Sequence, residues 1–449
     1  MRVLVIGLGA TGDAAVAWAR AADHEVVVIE DRPDGAAYRE RARRALAGGA
    51  DVLEAPDSGT VVARAAEADL VIPSPGVRPD HPAIVAAVAQ GVAVRSEVDV
   101  AVEALRARRS PPCLVAVTGT NGKTTVTTMI AAMCAAAGLR SVAVGNIGRP
   151  IIDAIGDEVD VVVAEVSTFQ LEFTTESFVP HVAVLLNVAQ DHVDWHGNAD
   201  AYAAAKARVF AYQGPGDVLV VNADDSVAWG LARSARAHVV PYKRGEPLPG
   251  GYGVRDDMLV GPSGVLAPCP VSLAAHDVDN ALAAGAASLH AGANVAAVAR
   301  ALATWVGLPH RVQLVADVGG VEFVDDSKAT NGHAAASALA GFDHVVLIAG
   351  GRDRSRDLDL LRQFAPKLRA VVAIGEATET VESVFRGVVP VDRASTMHAA
   401  VRTAASRART GDTVLLSPGC ASLDWYEDYA ARGDDFAREV ENWAKEQRR

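Results

Sequence analysis

Residues 114–125 read LVAVTGTNGKTT, and this stretch decides the fold. Leu114–Val117 is a short apolar run, the pattern of a strand buried on both faces of a parallel sheet. A turn holding Gly119 and Gly122 follows, then Lys123, Thr124 and Thr125, then a helical stretch from about Val126 to Ala137. That order suits an anion. Backbone N–H groups of the turn and of the helix N-terminus point at a phosphate. Lys123 would lie on its β/γ oxygens and the Thr124 hydroxyl on Mg²⁺. The usual six-residue spacing needs Gly at 117, where this chain has Val117, so the loop is a shortened variant. The bland alternative, a glycine turn with a solvated lysine, fits the strand–loop–helix context less well.

Downstream, Val161–Glu165 (VVVAE) is an apolar strand ending in an acid. Ligands of open α/β sheets bind at that carboxyl edge, which makes Glu165 the candidate metal carboxylate. Val182–Leu186 runs into NVAQDHVDWH, placing Asn187, Asp191, His192, Asp194 and His196 beyond another strand end. Imidazole and carboxylate there suit a metal or a water.

Further runs of this kind are Val3–Ile6, Val26–Ile29, Leu70–Ile72, Val218–Val221, Val345–Ala349, Val371–Ile374 and Val414–Leu416, separated by glycine turns and Ala-rich helical stretches. Strands alternating with helices predict parallel sheets covered on both sides. Arg106–Pro112 (RARRSPP) and Gly307–Arg311 (GLPHR) break the pattern. They divide the 449 residues into 1–110, 111–309 and 310–449, in line with ~150 residues per domain. The expected fold is α/β in three domains: a Rossmann-like first domain, a central P-loop ATPase-type sheet and a Rossmann-like last domain.

Net charge is −13, which argues against binding nucleic acid through its phosphates. The four cysteines are scattered and form no CxxC pair, as in a reducing cytoplasm. MRVLVIGLGATG reads as a first strand rather than a signal peptide, and no apolar run approaches the ~18 residues of a membrane helix.

In the first domain Gly7, Gly9 and Gly12 form GxGxxG after the first strand, with Glu30 and Asp31 after the second. Alone this pattern suits a dinucleotide, but such a turn would equally bind the diphosphate of a UDP-sugar. Ser74-Pro75-Gly76 offers a turn at the same edge. The last domain carries three strand-end clusters, Asp325–Asn331, Gly350–Asp357 and Ser417–Asp424. Lys328, Thr330, Arg354 and Ser422 among them are suited to an amino dicarboxylate.

GTNGKTT, GNIG (Gly145–Gly148), AEVSTFQLE (Ala164–Glu172), LNVAQDHVDWHG, AYAAAKARVF (Ala201–Phe210), VNADD, GLPHR, DDSKATN and LLSPGCASLD together resemble the Mur ligases, in their order and over essentially the whole chain. The resemblance implies an ATP-dependent, ADP-forming amide ligase of peptidoglycan precursor synthesis, hence of cell-wall growth, shape and division. Its substrates would be UDP-N-acetylmuramoyl-L-alanine and glutamate, expected to be D-glutamate. It would act as a cytoplasmic monomer with no nucleic-acid partner and no membrane insertion. ATP would meet Gly119, Thr120, Asn121, Gly122, Lys123, Thr124, Thr125, Asn280, Arg311 and Asp326. Two Mg²⁺ would use Thr124, Glu165, His192 and Lys206, the last as a carbamate. Lys123, Glu165, His192 and Lys206 would be the catalytic group. Thr11, Asp31, Arg32, Ser74, Asn146, Ser167 and Gln170 would hold the UDP substrate. Lys328, Thr330, Arg354, Ser422, Leu423 and Tyr429 would frame the amino acid. The chain departs from the family pattern at Asp277, where Asn is common, at Arg354, where Lys is usual, and at Tyr429, where Phe is usual. Arg and Lys grip a carboxylate differently, so the enantiomer of glutamate is left to experiment.

The competing readings are three. A nicotinamide dehydrogenase would use GxGxxG and leave the central loop idle. A nucleotide-gated binding protein would leave the flanking domains unexplained. A sibling ligase, of the Mur or folylpolyglutamate type, would share the central domain.

Overall fold

The structure is a computed structural model that describes residues 1–189, 193–269, 275–353 and 357–447. His192 and Arg354 lie outside these. The chain divides into two compact units, one built mainly on residues up to Thr304, the other on Trp305 onward.

The first unit holds two parallel sheets. β1 (Arg2–Ile6), β2 (Glu25–Glu30), β3 (Asp51–Glu54), β4 (Leu70–Pro73) and β5 (Ala93–Val94) lie in the order β3-β2-β1-β4-β5. β6 (Cys113–Thr118), β7 (Ser141–Gly145), β8 (Val161–Glu165), β9 (Val182–Leu185), β10 (Val218–Asn222) and β11 (His238–Tyr242) lie in the order β11-β10-β9-β6-β8-β7. Each order reverses next to a glycine turn, beside β1 in the first sheet and beside β6 in the second. Such crevices at the carboxyl edge are where open α/β sheets take ligands. One continuous apolar core joins the inner faces of these two sheets, running from Val3 and Val5 to Leu114, Ala116 and Leu219. The outer face of the first sheet has its own core around Leu4, Ile6 and Ile84.

A small antiparallel sheet, β12 (Gly253–Arg255), β13 (Met258–Gly261) and β14 (Gly264–Pro268), follows β11. Nothing in the apolar pattern announces it, because its strands are short and glycine-bounded.

The second unit is a sheet in the order β15-β16-β20-β17-β18-β19. Its strands are β15 (Gln313–Val318), β16 (Val321–Asp325), β17 (Val345–Gly350), β18 (Leu368–Ile374), β19 (Val391–Arg393) and β20 (Thr413–Leu416). Only the β15–β16 hairpin is antiparallel, and apolar cores cover both faces. The fold is thus α/β with three main sheets. The apolar runs of the sequence all fall in these strands, except that Leu186 lies one residue past β9.

Candidate active site

The helix after β6 spans Lys123–Ala136 and starts three residues earlier than the apolar pattern suggests. Gly122 is its N-cap at φ +84° with no side-chain cap, so the first turn keeps its N–H groups for another acceptor. The turn is tightly packed around its two glycines. A Cβ on Gly122 would lie 2.5 Å from Asn280 Oδ1, and one on Gly119 would lie 2.8 Å from the Leu186 Cβ. Asn187, beyond β9, braces the loop. Its carbonyl accepts from Thr120 N (3.0 Å), its Oδ1 accepts from Asn121 N (2.8 Å), and its Nδ2 donates to Asn121 O (3.1 Å). Lys123 Nζ folds over the loop and donates to the carbonyls of Gly119 (2.7 Å) and Thr120 (2.9 Å). The Thr125 hydroxyl is buried without a hydrogen-bond partner. Asn280 also donates from Nδ2 to Asp277 Oδ1 at 3.2 Å, so the departure at 277 sits beside the loop.

Glu165 ends β8 in register with Val117 of β6, which puts its carboxylate one strand over from the loop. It is 2% exposed. Oε1 accepts from Asn146 Nδ2 at 2.9 Å, and Oε2 is buried with no hydrogen-bond partner. An orphaned carboxylate oxygen is costly unless something cationic meets it. Asn146, expected to line the substrate site, therefore spends its amide on the acid. Ser167 and Gln170 form a capping box for the Thr168–Glu172 helix. Lys206 is 2% exposed, with Nζ 4.4 Å from the centroid of the Tyr202 ring. The Tyr202 hydroxyl meets Thr120 Oγ1 at 3.1 Å. Lys206 and the phosphate loop therefore share Tyr202, a residue that the sequence reading passed over. Trp195 and His196 pack with Phe169 at 5.0 and 6.0 Å between ring centroids, and Trp195 Nε1 donates to Gly76 O at 3.2 Å.

The residues present fit a bound nucleotide and Mg²⁺. An uncapped helix N-terminus, a tightly packed glycine turn and one unpaired carboxylate oxygen occur together. Among the described residues no three His, Cys, Asp or Glu converge on one point. That is no obstacle to Mg²⁺, which is usually held by one or two carboxylates and keeps several waters.

The first glycine turn differs. Gly9 caps the Ala10–Ala21 helix without a side chain. Yet Glu30 Oε2 accepts from Leu8 N (2.8 Å) and Oε1 from Arg32 N (3.0 Å). The acid that would grip a ribose in a dinucleotide enzyme is turned back onto the glycine turn. Ser74 Oγ donates to Gly7 O at 2.7 Å across the β1/β4 crevice, and Asp31 Oδ2 meets His81 Nε2 at 3.1 Å. Thr11 and Arg32 are half-buried and exposed respectively.

In the second unit, Asp326 follows β16 and its Oδ2 accepts from Ser417 Oγ, which follows β20, at 2.7 Å. Burial pushes its carboxyl up to about 7, against the Ser417 hydrogen bond and the charge of Arg311. Arg311 Nε is buried without a partner. The residues flanking Arg311, His310 and Val312, have φ +59° and +50°, and a β-branched residue there is an outlier. Lys328 Nζ sits 3.7 Å from the Tyr429 ring centroid. Ser422 is buried, Leu423 exposed and Thr330 half-buried. Arg432 lies outside every motif of the sequence. It is 1% exposed and donates to Ser327 Oγ (2.9 Å), Ser327 O (2.7 Å) and Cys420 O (3.0 Å), while burial pulls its pKa down to about 10. It ties the DDSKATN and SPGCASLD turns together.

Three family descriptions match the chain in this order: the N-terminal domain of MurD-like Mur ligases at residues 1–96, the Mur ligase middle domain at 117–250, and the Mur ligase glutamate ligase domain at 310–420. The fold is also that of the UDP-N-acetylmuramate–alanine ligase MurC of Thermotoga maritima, at TM-score 0.59 and 18% identity over 99% of this chain and all of that one. The chain belongs to the Mur ligases and is an amide-bond-forming enzyme. Within the family it is similar along its whole length to two UDP-N-acetylmuramoylalanine–D-glutamate ligases. The protein of Thermobifida fusca is 41% identical over 98% of both chains. That of Frankia casuarinae is 42% identical over 98% of this chain and 93% of its own. Among the described residues no helix is long and apolar enough to cross a membrane.

Proposed function

We propose that the protein joins D-glutamate to UDP-N-acetylmuramoyl-L-alanine at the expense of ATP, a step of peptidoglycan precursor synthesis. The observation that carries this reading is the unpaired Oε2 of Glu165, buried one strand from an uncapped phosphate loop. Whole-length similarity to D-glutamate ligases supports the choice of substrates.

In this reading the loop Gly119–Thr125 and Lys123 bind and neutralise the polyphosphate, with Asn280, Arg311 and Asp326 on the nucleoside. Thr124, Glu165, His192 and a carbamylated Lys206 would hold Mg²⁺, which would supply charge neutralisation between two anionic reactants. The alanyl carboxylate oxygen attacks the γ-phosphorus and ADP leaves. The amine of glutamate then attacks the acyl carbon, inorganic phosphate leaves, and the ammonium gives up its proton. Thr11, Asp31, Arg32, Ser74, Asn146, Ser167 and Gln170 belong to the UDP-substrate side. Lys328, Thr330, Arg354, Ser422, Leu423 and Tyr429 belong to the amino-acid side. We further propose domain limits near residues 110 and 309, and a cytoplasmic monomer.

The test is ADP release with each substrate omitted in turn and with both glutamate enantiomers. ADP should form at turnover levels only when UDP-N-acetylmuramoyl-L-alanine and D-glutamate are both present. Equal turnover with a different acceptor or with L-glutamate would move the chain to a sibling activity. Reduction of NAD⁺ without ATP turnover would overturn the reading.

A further inference from the structure

Glu97 is a carboxylic acid that the proposed chemistry does not use. It opens the Glu97–Arg106 helix at the end of the first sheet domain and is 1% exposed. Its Oε1 accepts from the amide of Ile152 at 2.6 Å, and its Oε2 is buried with no hydrogen-bond partner. Burial pushes its pKa up to about 8, so at neutral pH the group is held largely as the neutral acid.

Both ends of this contact lead to the same place. On one side Ile152 lies in the single turn of 3₁₀ helix Ile151–Ala154, which closes the Gly145–Pro150 turn. Gly145 N donates to Arg149 O at 2.8 Å, and a Cβ on Gly145 would lie 2.2 Å from Glu165 O, so the turn is pressed against the end of β8. Asn146 leaves this turn to bind Glu165 twice, from N to the Glu165 carbonyl and from Nδ2 to Oε1, each at 2.9 Å. On the other side the Glu97 helix is fixed to the segment that follows Glu165. Ser96 N donates to Phe173 O at 2.9 Å. Asp99 accepts from Thr175 N and Oγ1, each at 2.9 Å. Phe173 directly follows the helix capped by Ser167. The contacts thus form a closed ring: Glu165, the Ser167-capped helix, Phe173 and Thr175, the Glu97 helix, Glu97, Ile152, the Gly145–Pro150 turn, Asn146, and Glu165 again.

We propose that Glu97 is a positioning residue for the acyl-activating centre, holding the Gly145–Pro150 turn so that Asn146 occupies one oxygen of Glu165 and leaves the other for the metal. The proposal rests on the reading of Glu165 as the metal carboxylate. What the position requires is an acceptor for the Ile152 amide, not a charge.

The experiment compares wild type, Glu97→Gln, Glu97→Met and Glu97→Ala in the full chain. Gln keeps an acceptor in the same shape, Met keeps the volume without one, and Ala guards against a Met rotamer that fails to pack. Amide hydrogen exchange without ligands should show the segment around Ile152 exchanging about tenfold faster in Glu97→Met, the worth of one hydrogen bond at ~1.4 kcal/mol per decade. Glu97→Gln should match wild type, and β6 and β10 should be unchanged in both. In the ADP assay the Mg²⁺ concentration for half-activation should rise about tenfold in Glu97→Met with the KM for glutamate unmoved, and Gln should restore it. Unchanged exchange at Ile152, faster exchange spread evenly over the central sheet, or a Gln variant as impaired as Met would each overturn the proposal. If wild type forms no ADP with these substrates, the functional reading falls by itself, while the exchange comparison still decides whether Glu97 holds the turn.

Discussion

The two glycine turns of the first unit begin alike and end as electrical opposites. Each follows a central parallel strand, and each opens a helix whose glycine N-cap lacks a side-chain cap. At Gly7–Gly12, Glu30 already accepts from Leu8 N, and Asp13 adds a second acid in the helix's first turn. At Gly119–Gly122 the first helical turn holds no acid, and Lys123 lies over the loop. The central turn is braced through neutral Asn187. In a dinucleotide enzyme the acid after the second strand is left to accept from a ribose hydroxyl, whereas here Glu30 is spent on Leu8 N and Arg32 N. This comparison speaks against the dehydrogenase reading more directly than the weakness of the GxGxxG motif does.

The difference between the turns can be broken by mutation. The largest effect should come from Lys123→Ala, which removes the cation from the central turn. ADP-forming turnover should fall by ~100-fold or more, as for other preorganised electrostatic groups, while stability should fall only by about 1–3 kcal/mol for the lost bonds to Gly119 O and Thr120 O. Turnover near wild type would mean that the two turns are functionally equivalent after all.

Next are matched glycine substitutions. A Cβ on Gly12 would lie 2.0 Å from the Gly7 carbonyl oxygen, which is backbone and cannot swing away. Gly12→Ala should therefore cost about 1–3 kcal/mol of stability, read by denaturant melts. Gly122→Ala meets the end of the Asn280 side chain, which can rotate, so its stability loss should be mainly the left-handed backbone at φ +84°, about 1–2 kcal/mol. Its main effect should be a raised KM for ATP. A reversed order of destabilisation would show that the first turn is the looser one.

Glu30→Gln puts an amide donor where one of two backbone N–H groups now finds an acceptor. It should cost ~1–3 kcal/mol, with turnover at saturating substrate retained. Loss of turnover with no loss of stability would instead make Glu30 part of the chemistry. The smallest effect is expected for Ser74→Ala. It removes one hydrogen bond to Gly7 O and should lower stability by about 1 kcal/mol. The KM for the UDP substrate should rise with it, and an unmoved KM would take the Ser74 hydroxyl off the substrate side.

The strands were legible because each is a run of Val, Ile and Leu buried on both faces, a pattern that survives without knowledge of any neighbour. The phosphate loop was legible for the same reason, since strand, glycines, lysine and helix are consecutive in the chain. The box formed by Ser167 and Gln170 is likewise a local S-x-x-Q signal, although the sequence reading assigned both to substrate.

What only the tertiary structure decided is which polar groups are already spoken for. Leu8 and Glu30 are 22 residues apart, Asn146 and Glu165 are 19, Glu97 and Ile152 are 55, and Ser327 and Arg432 are 105. No period in the sequence links the two partners of any of these pairs. A hydrogen bond is fixed by where the backbone carries its two partners, and parallel sheets bring together the ends of strands that are distant in the chain. The sequence by itself therefore determined the sheets, the loop and the kinds of side chain at the carboxyl edge. The folded chain decided that Glu165 keeps one oxygen unpaired while Glu30 keeps none.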